Sequence, residues 1–199
     1  MKTEKNNFSI GIFLIILGIL IPIIMSVKNG PSQIFWFCYL ALILIGIGIL
    51  KKNDFLILSQ LNIIMIPNIM WVVDFFYHLI TGGPLFGIAN YFFVTDYNYF
   101  KLLSFQHIFT PPLVLYSLYK IKIRKFSKKA WIASFLQIAI IYLLTKTITF
   151  PEENINCIFQ SCVNFIPTTE YYEIIWIISF FFMAIFTNLF LKNVRALNK

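Results

Sequence analysis

The chain has 199 residues, of which 59% are hydrophobic, 19% aromatic and only 12% charged. A soluble domain carries about 25% charged residues, so this composition cannot cover a folded surface in water and excludes a soluble globular protein. The net charge of +8 does not imply a nucleic-acid partner, because the basic residues sit in short blocks between apolar runs, with no basic stripe or stacking module beside them.

Six apolar stretches are long enough to cross a hydrocarbon core of ~30 Å as helices: 8–27, 33–50, 55–80, 102–121, 130–149 and 172–191. The expected fold is therefore all-α, a polytopic transmembrane bundle of about six spans forming one integral membrane domain over 1–199. Lys2 and Lys5 precede the first span. Its run exceeds the ~7–15 residues of a signal-peptide core and no small-x-small cleavage pattern follows, so it reads as a retained helix. The second span is short and carries Gly46 and Gly48, which suit close approach to a neighbour. Pro22, Pro67 and the pair Pro111-Pro112 are expected to bend the first, third and fourth spans without breaking them.

With the N-terminus inside, all but Lys28, Lys101 and Lys146 of the 16 basic residues fall on the inner side. Lysine and arginine bias sets membrane orientation, so both termini are expected to be cytoplasmic, in a multi-pass protein of the cell membrane. Asp96, Glu152, Glu153, Glu170 and Glu173 all land outside. Segment 82–100 is too polar to cross and rich in Tyr and Phe, so it is expected to lie along the outer interface or to dip back as a lid. Cys157 and Cys162 fall in the last outer loop, where either a disulfide or two free thiols are compatible with the sequence, the disulfide being the favoured reading. Cys38, inside the second span, reads as a small buried apolar residue.

Ionisable residues at membrane depth carry the functional signal. Asp74 lies six residues from the outer end of span three, or about 9 Å below the surface. A carboxylate there costs on the order of 3 kcal/mol, so it needs a polar interior or a partner. His78 follows one turn later on the same face, and Trp71 precedes on it. His107 on span four reaches a similar depth, with Ser104 on its side, and the last outer loop adds Asn154 and Asn156. These residues predict one outward-opening pocket, with Asp74, His78 and His107 as catalytic groups and Trp71, Ser104, Asn154 and Asn156 as substrate contacts. The bland alternative is a hydrogen-bonded Asp–His pair that only packs helices. A metal held by Asp74, His78 and His107 is conceivable, but the chain has only two histidines and no H-E-x-x-H, so neither metal nor cofactor is expected.

The stretches W-V-V-D-F-F-Y-H at 71–78, G-I-A-N-Y-F-F at 87–93, L-S-F-Q-H-I-F-T-P-P at 103–112 and P-E-E-N-I-N at 151–156 resemble a family of small, uncharacterised microbial integral membrane proteins. That resemblance implies a helical bundle and the same outer-face residues. A fainter likeness is to androgen-induced-type membrane hydrolases, which use a threonine–histidine pair on lipid esters; it implies the histidine role for His107, with no threonine of this chain in the nucleophile's place. Three functions stay open: a membrane-embedded enzyme on a lipid-like substrate, a small solute or proton-coupled carrier, and a non-catalytic membrane subunit. The first is favoured, because carriers usually bind at the midplane and this cluster lies near one interface. The expected partners are the lipid bilayer and a lipid or small polar ligand.

Overall fold

The computed structural model describes residues 2–94, 99–123, 128–194 and 197. Asp96, read above as outer, lies outside the described residues, as do Lys125 and Lys199 of the inner basic set. The long helices are α1 (Lys2–Asn29), α2 (Phe37–Leu50), α3 (Asp54–Thr81), α5 (Gln106–Ile121), α6 (Lys128–Ile148) and α7 (Tyr172–Asn193), with α4 (Tyr91–Val94) a single turn between α3 and α5. The protein is an all-α membrane bundle in which α1, α3, α6 and α7 are long and apolar enough to cross a bilayer. The other two expected spans are shorter than the sequence suggests. In place of 33–50 and 102–121 the α-helices begin at Phe37 and Gln106, each preceded by a 3-10 turn, Pro31–Phe35 and Tyr99–Phe105. At 1.5 Å per residue, α2 covers only about 21 Å and α5 about 24 Å.

The bundle has two unlike ends. At the turn end the connections are short: Asn53 caps α3, its side chain accepting the Leu56 N–H at 3.1 Å. At the loop end lie 30–36, 82–94, 99–105 and 149–171. There α3 stops at Gly82, whose φ of 78° is left-handed and whose N–H returns to the His78 carbonyl at 2.8 Å.

Small residues set the α1–α2 pairing. A Cβ on Gly46 would stand 2.6 Å from the Gly11 carbonyl oxygen, and one on Gly18 would stand 2.9 Å from that of Tyr39. The two helices therefore run antiparallel with backbone against backbone, the mode by which helices associate where lipid removes the hydrophobic incentive.

Toward the turn end, α3, α6 and α7 are joined by a buried polar ladder. Gln60 and Gln137 exchange amide hydrogen bonds of 2.8 and 3.0 Å, and Ser134 donates to the Ser59 carbonyl at 2.8 Å. Asn62 donates to Ser134 at 3.2 Å and accepts from Asn188 at 3.5 Å. Leu58, Leu61, Ile138 and Leu191 pack around these groups.

The loop end is held by its own polar staples. Asn156 accepts the Phe37 N–H at 2.9 Å and donates to the Phe35 carbonyl at 2.8 Å, while its carbonyl accepts the Trp176 indole N–H at 2.9 Å. One residue thus ties the start of α2 to the last loop through its side chain and to α7 through its backbone carbonyl. Ser32 donates to Glu153, and Lys146 pairs with Glu173. Cys157 and Cys162 are joined by a disulfide with Cα atoms 5.7 Å apart.

Candidate functional site

Between α2, α3, α5 and α7 lies a cavity of about 910 Å³, roofed by the 156–166 loop. Ile63, Ile66 and Met70 of α3 face Ile178, Phe182 and Phe186 of α7 across it. Ile178, Phe182 and Phe186 are 62%, 67% and 56% exposed, so the cavity opens sideways, through the gap between α3 and α7, toward the space that hydrocarbon fills. The two helices close against each other below it, where Asn188 meets Asn62.

The polar end of this apolar chamber is built on α3 and α5. His107, in the first turn of α5, places Nδ1 2.9 Å from Asn68 Oδ1. A carbonyl oxygen only accepts, so this contact puts a proton on Nδ1. Gln106 Nε2 lies 3.1 Å from Nδ1 and 3.2 Å from Nε2, singling out neither ring nitrogen, while Thr110 donates to Gln106 Oε1 at 3.4 Å and so fixes which way the amide points. The Trp71 ring lies 5.1 Å from the imidazole. The Trp71 indole donates to the Tyr91 hydroxyl at 3.1 Å, which donates to Ser104 at 2.8 Å. Burial pushes the Tyr91 phenol up, so it stays a neutral donor.

Trp71, Ser104 and His107 therefore share one cavity, but Asp74 and His78 do not join them. Asp74 is fully buried, and its carboxylate accepts the backbone N–H groups of Leu85 at 2.8 Å, Phe86 at 2.7 Å and Ala89 at 2.7 Å. Histidine was expected as the donor. The chain instead folds the 82–90 turn back onto the carboxylate, since three amides in a tight turn satisfy it better than one imidazole. His78 stacks on Phe93 with ring centres 3.9 Å apart and makes no hydrogen bond to Asp74 through its buried Nδ1. The lid-like reading of 82–100 thus takes a definite form over 82–94, an aromatic cluster of Phe75, Phe92, Phe93 and Phe105 above the Asp74 staple.

The two asparagines expected to contact substrate are spent on structure. Asn154, at φ 43°, accepts the N–H groups of Phe159 and Gln160 and donates to the Gln160 carbonyl. Asn156 borders the cavity, but both ends of its amide are engaged as described. Among the described residues no three His, Cys, Asp or Glu side chains gather as a metal site.

Sequence reasoning missed Asn68, Gln106 and Cys38, all on the cavity wall. A signal for two of them was present: Gln106 and Thr110 are one turn apart beside His107, and Asn68 precedes Trp71 by three residues on one face of α3. Comparison of the chain with protein-family models, curated proteins and solved structures finds no match in any of the three, so the reading of the site rests on its own geometry.

Proposed function

We propose that this protein is a membrane-embedded enzyme that draws a lipid-like substrate sideways into the cavity between α3 and α7 and uses His107 as its general base. The observation that carries this reading is an imidazole oriented by Asn68 at the polar end of a chamber whose other walls are largely apolar. A volume of about 910 Å³ stands near the top of the range of small-molecule sites, enough for a chain-bearing ligand. A polar solute would gain nothing from such walls, and the ladder at Asn62 and Asn188 supports a closed floor over the through-path that a carrier needs.

In the bilayer the proposal has six crossings, with α2 and α5 completed by their 3-10 turns, and places the loop end and the cavity mouth in the outer leaflet. The basic bias toward the turn end supports cytoplasmic termini. A single cysteine at Lys52 in an otherwise cysteine-free background is expected to label only from the cytoplasmic side, and one at Gly83 only from outside. Labelling of the Lys52 position by an impermeant maleimide added to intact cells would reverse the orientation.

Occupancy is tested by native mass spectrometry of the protein in mild detergent. Wild type is expected to retain lipid. Ser179→Trp, which puts an indole into the cavity from α7, should lower retention at least tenfold at unchanged fold. Equal retention in the two proteins, or none in wild type, would remove the basis of this function.

A further inference from the structure

Most polar groups on the cavity wall are paired within the chain. The Trp36 indole donates to Gln33 at 3.1 Å and the Tyr172 hydroxyl to the Cys157 carbonyl at 2.6 Å, while Asn156 and Trp71 are engaged as described. Asn68 is the exception. Its Oδ1 lies 2.9 Å from His107 Nδ1, but its Nδ2 has no partner although the residue is only 2% exposed. Among the described residues, no other buried side-chain atom without a partner belongs to the cavity wall. Asn68 stands near the middle of the 28-residue α3, about 20 Å from either end at 1.5 Å per residue. An amide donor left unpaired at such a depth is costly, and the cavity is the place from which an acceptor oxygen could reach it.

The second observation is charge. Among the described residues, no Lys, Arg, Asp or Glu lines the cavity. Charged side chains at the loop end are engaged outside it: Asp74 by three backbone N–H groups, Lys146 by Glu173, and Lys101 by the Phe92 carbonyl at 2.7 Å. A phosphate drawn to the depth of Asn68 would therefore find no counter-charge, and an ion buried without one is very unfavourable. An uncharged head bearing an acceptor oxygen is far less costly to take that deep, and the Asn68 amide offsets what cost there is.

We propose that the cavity selects lipids with an uncharged, oxygen-bearing head, and that Asn68 recognises that head by donating from Nδ2 to its carbonyl or hydroxyl oxygen. The inference rests on the lipid-cavity reading and names the class of lipid. It excludes intact phospholipids. Acylglycerols, polyprenols and isoprenoid quinones share the required chemistry, a head without charge and an oxygen that accepts. Such a molecule lies with its head inward, beside the imidazole to which Asn68 already bonds. Its chains run out between α3 and α7, past Ile66 and Phe182.

The test incubates the full chain in nonionic detergent with an equimolar mixture of five lipids and counts retained molecules by native mass spectrometry. The mixture holds dioleoylglycerol, a polyprenol, an isoprenoid quinone, dioleoylphosphatidylglycerol and dioleoylphosphatidylcholine. Wild type is expected to retain at least one of the three uncharged lipids at least tenfold above either phospholipid, and the one preferred identifies the head. This comparison needs no variant and decides the class by itself. Asn68→Leu keeps the bulk of the side chain without its amide, so it should shrink the tenfold preference to below threefold. A merely structural Asn68 would lower retention of all five lipids together and leave their ratio in place, and that result, or loss of all retention in Asn68→Leu, would overturn its part in recognition. Phospholipid retained as well as the uncharged lipids, and still displaced by Ser179→Trp, would overturn the selectivity and leave the cavity reading standing. No lipid of any kind in wild type would end both.

Discussion

Asp74→Asn is expected to lower the thermal midpoint of the purified protein by about 10 °C, the shift that about 3–5 kcal/mol gives in a chain of this size. The carboxylate serves three backbone donors, Leu85 and Phe86 on Oδ1 and Ala89 on Oδ2. Asparagine has the same shape and can keep the first two. Its NH₂ then confronts the Ala89 N–H, donor against donor, at a residue with no exposure. Hydrogen bonds to a charged acceptor contribute about 1.5–3 kcal/mol each, and orphaning a buried donor adds a similar amount. Glutamate would not rescue it, because the extra methylene displaces the carboxylate from a turn already at 2.7–2.8 Å. Differential scanning fluorimetry in one detergent measures the effect. An unchanged midpoint, with lipid retention lost instead, would return Asp74 to the active site.

Gly46→Leu should be more severe, abolishing recovery of monodisperse protein. Even a methyl group at this position meets the Gly11 carbonyl oxygen and the Ile15 side chain at 2.6 Å, and backbone cannot turn aside as a flexible side chain can. Overpacking a well-fitted interior costs about 1–3 kcal/mol where neighbours can relax; here α1 must move bodily away from α2. The start of α2 carries Cys38, so the displacement reaches the cavity wall. Gly83→Leu is the matched control, since nothing lies within 4 Å of a Cβ there. Size-exclusion profiles of the two variants decide it: equal recovery would mean that the α1–α2 contact is looser than the structure has it.

The bundle was legible because its signal is a sum over some twenty residues per span, which single exceptions do not disturb. Where helices start was less so. Residues 33–35 and 102–105 are apolar enough to count toward a span, yet they lie in 3-10 turns; at the first, Asn156 binds the Phe35 and Phe37 backbone from far along the chain. Depth and helical periodicity put Asp74, His78 and His107 at one level; in the structure His107 lies beside Trp71, while Asp74 and His78 have other partners. Periodicity places a residue on a face but does not say which neighbour that face meets. Asp74 faces a loop, and Asn68, two turns deeper, meets His107. The amides of Asn68 and Gln106 carry no charge, so a search for ionisable groups passes over them.

The ladder of Gln60, Gln137, Ser134, Asn62 and Asn188 has an electrical meaning as well as a mechanical one. A transmembrane voltage drops where the path resists ions, and here the resistance sits in the packed half that the ladder closes, beneath the chamber. The chamber opens toward hydrocarbon and the ladder closes the way beneath it, so no continuous water path is expected across the protein. Moving one charge through 100 mV is worth about 2.3 kcal/mol, and with no water path to carry that charge the protein should pass no current in a planar bilayer.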